Sequence, residues 1–340
     1  MPNSDRQISD SRKNCLNTVR LIAAISVMYI HAITRLEVKM PEILTAVIAF
    51  FQGVPIFFAM SGFLVWDSVG RSADFLSYAK KRFLRIYPEL WTAVLLGIVT
   101  ILALYDAPIL WGQLGLFAVT QGTVFQFWTP DFLRGYGCGT PNGALWTIGV
   151  TVQFYIAVYF LHKWLRDKRL GTWIVLVVGA VAVALISPVI KGFLPGIVAK
   201  LYGQTLFPYL WWFLLGSMVA ANRSILLPLL RKFCIPLLAV SAVLMLTRFD
   251  IQMGDYRLLC SATLILGMIG FAYQFPKLNI PIDISYGVYI YHMIVINAMI
   301  TFGAVKQPLT VLVVVLVTCL LAFVSERTVG RLSMRWKTRK

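Results

Sequence analysis

The sequence contains few charged residues. Asp, Glu, Lys and Arg make up 13% of its 340 residues, about half the share that soluble domains carry. Hydrophobic residues make up 59%, and the mean hydropathy is +0.77. This composition excludes an ordinary soluble domain and predicts a polytopic membrane protein.

Residues that bind metals or form disulfides are also few. The chain has three histidines, which lie far apart, and five cysteines without a Cys-x-x-Cys pair. No acidic cluster accompanies the histidines, so we predict no metal site. Four of the cysteines lie in or beside apolar runs, where a disulfide framework is not expected. The serines in MSGF and ISYG lack the strained elbow that exposes a nucleophilic serine.

Ten apolar runs are long enough to cross a bilayer core of about 30 Å. They lie at about 16–34, 43–66, 88–104, 144–162, 171–190, 206–222, 226–246, 257–275, 284–303 and 308–325. Most Lys and Arg residues fall on one side if both termini share that side, and basic loops are retained in the cytoplasm. We therefore predict an all-α integral membrane protein, a bundle of about ten transmembrane helices with both termini cytoplasmic. Basic residues in the predicted cytoplasmic loops and tails account for the net charge of +17. The charge therefore gives no reason to expect a nucleic-acid partner.

Neither an internal repeat nor a low-complexity linker divides the chain. We expect a cytoplasmic tail over 1–15, a single membrane domain over 16–326 and a basic cytoplasmic tail over 327–340. The first apolar run lacks a cleavage site, so it is expected to remain as an anchor. The long outer loop 105–143 is aromatic and rich in glycine, and it should pack back on the bundle as a re-entrant or interfacial element.

Two ionisable residues lie in the first apolar run. Arg20 and His31 are eleven residues apart, so on an α-helix they share one face and are separated by about 16 Å. Ionisable groups inside a membrane usually face the protein interior or a watered cavity, which makes them candidates for function. The alternative is that Arg20 reaches the headgroups and that His31 is a packing or interfacial residue.

A basic cluster follows the second apolar run. The stretch KKRFLRIYP places Lys81, Arg82 and Arg85 on a short amphipathic segment. Such a cluster suits phosphate or anionic lipid, although an ordinary cytoplasmic anchor would have the same composition. The second run itself contains Pro55, which predicts a kink, and Gly62, which allows close backbone approach.

The ninth run carries a polar stripe. In ISYGVYIYH, Ser285, Tyr289 and His292 recur at i, i+4 and i+7, so they line one helix face. A helix that only packs against lipid has no need of this stripe. His162, by contrast, lies at a helix end beside Lys163 and is interpreted as a boundary residue.

In this order, these stretches resemble the acyltransferase 3 family, integral membrane acyltransferases that O-acylate bacterial surface polysaccharides and some antibiotics. The resemblance runs through nearly the whole chain. It is carried by the Arg20 to His31 spacing and by FFAMSGFLVW, KKRFLRIYP, GALWTIGVTVQFYIAVYF, SYGVYIYH and FVSERTVGRL. One position departs from it: many members have Glu where this chain has Thr151, which leaves Gln153 as the main polar group there.

The resemblance implies an O-acyltransferase, most commonly an O-acetyltransferase, in the bacterial inner membrane. It implies acyl-CoA, above all acetyl-CoA, as the donor substrate without a permanently bound cofactor, and the hydroxyl of a surface or exported saccharide as the acceptor. It also implies that His31 is catalytic and that Arg20, Arg82 and Arg85 are functional basic residues.

These expectations combine into one mechanism. Lys81, Arg82 and Arg85 would hold the nucleotide phosphates of the donor, Arg20 would meet the pyrophosphate, and the thioester would reach His31. Neutral His31 would act as general base on the acceptor hydroxyl or would itself be acylated. The remaining candidates for contacts to the substrate or the transition state are Ser61, Trp146, Gln153, Ser285, Tyr289 and His292.

Two other functions stay open at this point. A transporter or flippase of lipid-linked saccharide also has many spans and buried charge, but the candidate residues here show no inverted pairing. A non-catalytic membrane subunit of a polysaccharide synthase is the other alternative.

Overall fold

The computed structural model describes residues 13–254 and 256–338, and nearly all of their regular structure is helical. The α-helices are α1 (Leu16–Arg35), α2 (Glu42–Ala49), α3 (Gly53–Gly70), α4 (Phe75–Leu104), α5 (Trp111–Gln121), α6 (Trp146–Leu165), α7 (Leu170–Phe193), α8 (Gly196–Tyr202), α9 (Leu210–Ala221), α10 (Arg223–Thr247), α11 (Leu258–Gln274), α12 (Ser285–Thr301), α13 (Pro308–Ser325) and α14 (Arg331–Thr338). A π-helical turn, Glu326–Gly330, joins the last two. Two short strands, β1 (Gln252–Met253) and β2 (Tyr256–Arg257), pair antiparallel.

Within the described part of the chain, seven segments are long and apolar enough to cross a membrane. They are Leu16–Arg35, Glu42–Gly70, Phe75–Leu104, Gly143–Leu165, Leu170–Phe193, Arg223–Thr247 and Pro308–Ser333. The prediction of a multi-pass α-helical membrane protein is confirmed. The other three predicted runs correspond to the shorter helices α9, α11 and α12, of 12, 17 and 17 residues. The count of ten and the cytoplasmic termini therefore stay predictions.

The structure of the second apolar run differs from the prediction, which was a single kinked span. It forms two helices, α2 and α3, with a break over residues 50–52. Pro55 is the third residue of α3. It lies in the first turn, where backbone N–H groups have no hydrogen-bond partner within the helix. Pro55 therefore lies at the start of a helix instead of kinking its interior.

The basic cluster also differs from its predicted setting. Lys81, Arg82 and Arg85 lie in the first turns of α4, a continuous helix of 30 residues, instead of on a short separate segment. The backbone N–H of Ser77 donates to Asp74 at the N-cap (2.7 Å), and this hydrogen bond lowers the pKa of the Asp74 carboxyl. At 1.5 Å per residue α4 is about 45 Å long, so one end extends beyond a hydrocarbon core of about 30 Å.

The described residues form two compact units. The first comprises residues 13–23, 50–71 and 156–283, and in it α3 packs on α9 and α10 packs on α11. The second comprises residues 24–49, 72–155 and 284–338. In the second unit α12 packs against α13 and α4, and it is buried from its first turn over most of its length.

Small residues bring α3 and α9 into close contact in the first unit. A Cβ atom on Gly62 would collide with the backbone carbonyl of Phe213, and one on Gly216 would collide with the carbonyl of Ala59. The close approach expected at Gly62 is therefore present. Glycine at both positions lets the two backbones meet, as in other membrane helix pairs.

The long segment between α4 and α6 packs on α4 in the second unit. The buried residues of this contact are Ile101, Leu114, Phe117, Leu133 and Tyr136. Beyond α5, the Trp91 indole donates to the carbonyl of Gly122 (2.9 Å), and Trp91 lies about 20 Å along α4 from Leu104. The segment thus returns along the helix, which is the course that a re-entrant element takes.

Candidate active site

Two histidines from the ends of the chain meet in the second unit. Nδ1 of His31, on α1, lies 2.8 Å from Nε2 of His292, on α12. The rings are stacked at an interplanar angle of 28°, with centroids 5.1 Å apart. His292 is fully buried, whereas His31 is half-buried. The pair therefore has one ring sealed in the protein and one that reaches its surface.

The surroundings of His292 fix its position on α12. Its Nδ1 lies 3.2 Å from the carbonyl of Val288, and the Tyr289 ring packs edge-on against it at 6.0 Å. The Tyr289 hydroxyl donates to the carbonyl of Ala144 (3.0 Å) and accepts from the Thr147 hydroxyl (2.9 Å). These bonds tie α12 to the start of α6.

Aromatic rings surround the predicted phosphate-binding arginines. The Arg82 guanidinium lies 6.0 Å from the centre of the Tyr78 ring and 5.7 Å from that of Tyr155. Arg85 lies 6.0 Å from the centre of the Tyr286 ring, on α12. Cation–π contacts of this kind hold a guanidinium without neutralising its charge. Lys81 donates to the hydroxyl of Ser72 (3.0 Å), which lies just before α4.

Arg20 lies in the first unit, where it forms an ion pair with Asp283. Both side chains are 18% exposed, so the pair is largely removed from water. The sequence analysis did not single out Asp283, because it is 263 residues from Arg20 along the chain. A buried cation needs such a partner, and Asp283 is the acidic residue just before the polar stripe of α12.

The remaining predicted substrate contacts occupy different places. Ser61 lies half-buried in α3, in the first unit, while the others lie in the second unit: Trp146 opens α6, and Ser285 is fully buried at the start of α12. Gln153 donates to the carbonyl of Gly149 (3.3 Å). The hydroxyl of Thr151 donates to the carbonyl of Thr147 (2.7 Å), so it bonds to its own helix.

A buried carboxylate was missed by the sequence analysis. Glu89, on α4, is 5% exposed and accepts a hydrogen bond from the Ser325 hydroxyl (3.2 Å), which in turn accepts from the Tyr291 hydroxyl (2.9 Å). This chain of hydrogen bonds joins α4, α13 and α12. An available signal was the occurrence of an acidic residue inside an apolar run, four residues after Arg85.

Asn297 was missed as well. It is fully buried on α12, and its amide accepts from the Cys138 N–H (2.8 Å) and donates to the carbonyls of Thr140 (3.1 Å) and Pro141 (2.8 Å). Gly137 packs so closely on this amide that a Cβ there would collide with it, and its φ of +53° also favours glycine. Asn297 thus anchors the segment that precedes α6.

A small cavity lies between α4, α5 and α12. Its lining includes Gly97, Phe117, Gln121, Asn142 and Ile294, and its volume is about 20 Å³. A cavity of this size has room for roughly one water molecule, so it cannot contain a saccharide ring. Among the described residues, no group of three His, Cys, Asp or Glu side chains is placed to bind a metal ion.

These features define a multi-pass α-helical membrane protein with a partly buried histidine pair and arginines packed against aromatic rings in one unit. Residues 13–327 match the sequence model of the family described as "Acyltransferase domain", so the chain belongs to the acyltransferase 3 family. The predictions of this family and of an acyltransferase enzyme are therefore confirmed.

Two curated proteins show where the chain has relatives. It is similar to Nodulation protein 10 of Rhizobium leguminosarum bv. viciae, with 28% identity across 97% of this chain and 95% of that protein. It is also similar to an O-acetyl transferase of Shigella phage Sf6, with 28% identity across 52% of this chain and 54% of that protein. No solved structure matches the chain.

Proposed function

We propose that the protein is an O-acetyltransferase of the bacterial inner membrane, which transfers the acetyl group of acetyl-CoA to a hydroxyl of a surface or exported saccharide. Family membership supports acyl transfer, and the name of the Sf6 relative supports an acetyl group and an oxygen acceptor. The transporter alternative has no comparable support.

The observation that carries this proposal is that one helix contacts both predicted clusters. On α12, Tyr286 packs against Arg85 and His292 bonds to His31. Tyr286 and His292 are six positions apart, which is about 9 Å along a helix. The pantetheine arm of CoA is long enough to bridge such a separation, with phosphates at the arginines and the thioester at the histidine.

Arg82 and Arg85 bind the donor phosphates in this proposal. Guanidinium groups form paired hydrogen bonds to phosphate oxygens, and the tyrosine rings beside them restrict the orientation of each fork. Lys81 adds a third positive charge on the same turns of α4. The contribution of Arg20 to donor binding stays a prediction, because its ion pair with Asp283 lies in the first unit.

His31 is the general base of the reaction. It takes the proton of the acceptor hydroxyl while the oxygen attacks the thioester carbonyl carbon. A C–O bond forms and the C–S bond breaks, and the proton passes from His31 to the departing thiolate, which leaves an ester and free CoA. If His31 is acylated first, the same ring acts as nucleophile and the hydroxyl attacks the acyl-imidazole in a second step.

His31→Ala should abolish acetyl transfer. General bases contribute about 10² to 10⁴ to the rate, so we expect turnover of labelled acetyl-CoA by the full-length protein in lipid nanodiscs to fall by at least about 100-fold. His162→Ala is the matched control, because His162 packs against Trp66 in the first unit (4.4 Å between centroids). Normal turnover by a folded His31→Ala protein would contradict the proposal.

A further inference from the structure

The donor and the acceptor of each hydrogen bond in the histidine pair can be assigned, starting from the backbone of α12. The carbonyl oxygen of Val288 can only accept, and it lies 3.2 Å from Nδ1 of His292, so this nitrogen must carry a proton. A neutral imidazole has one protonated nitrogen and one acceptor nitrogen. Nε2 of His292 is therefore the acceptor.

The direction continues to His31. Nδ1 of His31 lies 2.8 Å from that acceptor nitrogen, so it must be the donor of the bond between the rings. In neutral His31 the proton is thus on Nδ1, and the lone pair is on Nε2. This tautomer presents Nε2, the nitrogen farther from the backbone, as the basic atom.

We infer that His292 is a positioning residue that selects this tautomer of His31 and makes Nε2 the nitrogen that takes the proton or the acyl group. The inference rests on the proposed function for the reaction, but the tautomer itself follows from the contacts alone. His292 has no exposed surface, and both its nitrogens are engaged within the protein. It therefore acts through His31 instead of touching the substrate.

The role corresponds to that of the carboxylate in a Ser-His-Asp triad, with a different electrostatic cost. A buried carboxylate would orient His31 equally well but would place a charge in an apolar interior, where desolvation is expensive. A neutral imidazole supplies the acceptor without that charge. When His31 takes up the substrate proton, its Nδ1–H bond to His292 is retained and disperses part of the positive charge.

Two substitutions separate positioning from packing. His292→Leu removes the acceptor, and loss of the correct tautomer in a triad costs about 10⁴ in kcat, so we expect kcat to fall by at least about 100-fold with little change in the KM for acetyl-CoA. His292→Gln keeps an oxygen that can accept from Nδ1 of His31. Its kcat should be at least about tenfold higher than that of His292→Leu. Equal activity of His292→Leu and the unchanged protein would overturn the inference, as would equally low activity of folded Leu and Gln variants.

Nitrogen NMR tests the tautomer without any enzyme assay. The chain has only three histidines, so ¹⁵N-histidine labelling of the full protein in nanodiscs gives three ring systems, assigned by His31→Gln and His162→Gln. We expect His31 to carry its proton on Nδ1 in the unchanged protein and to lose this preference in His292→Leu.

The two readouts also distinguish the inference from the proposed function. A His31 ring protonated on Nε2 in the unchanged protein would overturn the inference even if the Leu variant were inactive. A ring protonated on Nδ1 in a protein without acetyl transfer would support the tautomer assignment and contradict the proposed reaction. Because the unchanged protein is sufficient for this test, misfolding of the Leu variant does not prevent a decision.

Discussion

Aromatic rings orient two arginines of the second unit. Arg82 lies beside Tyr78 and Tyr155, and Arg85 lies over Tyr286. The hydroxyls of Tyr78 and Tyr286 bond to the carbonyls of Tyr155 and Ile86, which keeps the rings in place. A planar guanidinium fits this setting, whereas a lysine ammonium has neither the flat face nor the fork.

The double substitution Arg82→Lys with Arg85→Lys should therefore weaken donor binding while keeping the net charge. Loss of stacking and of paired phosphate bonds should raise the KM for acetyl-CoA by about tenfold or more, with kcat much less affected. Steady-state kinetics on nanodisc-embedded protein measure both constants.

Lys80→Arg is the matched control, because Lys80 is exposed on the same helix. It should leave both constants unchanged. An unchanged KM in the double variant would assign the arginines to membrane topology instead of donor binding.

Individual residues also show what a single sequence leaves out. The helical period predicts a common face for Arg20 and His31, but it could not give their partners, Asp283 and His292, which are more than 260 residues away. Glu89 was overlooked because hydropathy averages a lone acid into its apolar neighbours. Such pairings depend on which helices pack together, and periodicity contains no information on that.

At the scale of elements, contacts between small residues determine which helices can pack. The α3–α9 contact depends on Gly62 and Gly216, where the facing backbones leave no room for a side chain. Because a carbonyl group of a helix cannot rotate out of the way, a methyl group there must push the helices apart.

Gly62→Ala should destabilise the protein by about 1–3 kcal/mol or more, the usual range for overpacking. Thermal unfolding in detergent, followed by the monodisperse fraction, should show a lower midpoint. Gly179→Ala in α7 is the control, since a Cβ there meets nothing within 4 Å, and it should unfold at or above the original temperature. If Gly62→Ala and Gly179→Ala unfold at the same temperature, the α3–α9 contact is looser than described.

Most helices could be predicted from apolar runs alone, and α1 and α13 begin and end within a residue of their predicted bounds. Helix breaks and helix continuity, which depend on backbone geometry, could not be predicted in this way. The break at 50–52 separates two equally apolar stretches, and α4 continues through the charged residues 80–85 because an exposed helical end can carry charge in water. Hydropathy detects solubility in lipid, not helix continuity.

At the scale of the whole molecule, the number of crossings determines where the termini lie. Seven described segments satisfy length and hydropathy together, and an odd number would put the termini on opposite sides. If the shorter helices α9, α11 and α12 also cross, as the sequence predicts, the number is ten and the termini lie on the same side. These three helices therefore decide the topology.

Reporter fusions at the two ends should both report the cytoplasm. A phosphatase, active only in the periplasm, should be inactive at either terminus and active when inserted in the segment 105–110. Matched green fluorescent protein fusions, which fluoresce in the cytoplasm, provide the converse signal. An active phosphatase at the C-terminus with a fluorescent N-terminus would establish an odd number and exclude ten.

The neutral proton chain from Val288 through His292 to His31 also affects how the enzyme responds to voltage. A membrane potential acts on charge, by about 2.3 kcal/mol per elementary charge for each 100 mV, and two neutral rings in the resting site carry none. The geometry of this histidine pair should therefore be the same in a respiring cell, a de-energised vesicle and a micelle. If acetyl-CoA is the donor, as proposed, its thioester supplies the free energy of the transfer, and a cell without ion gradients should still carry out this step.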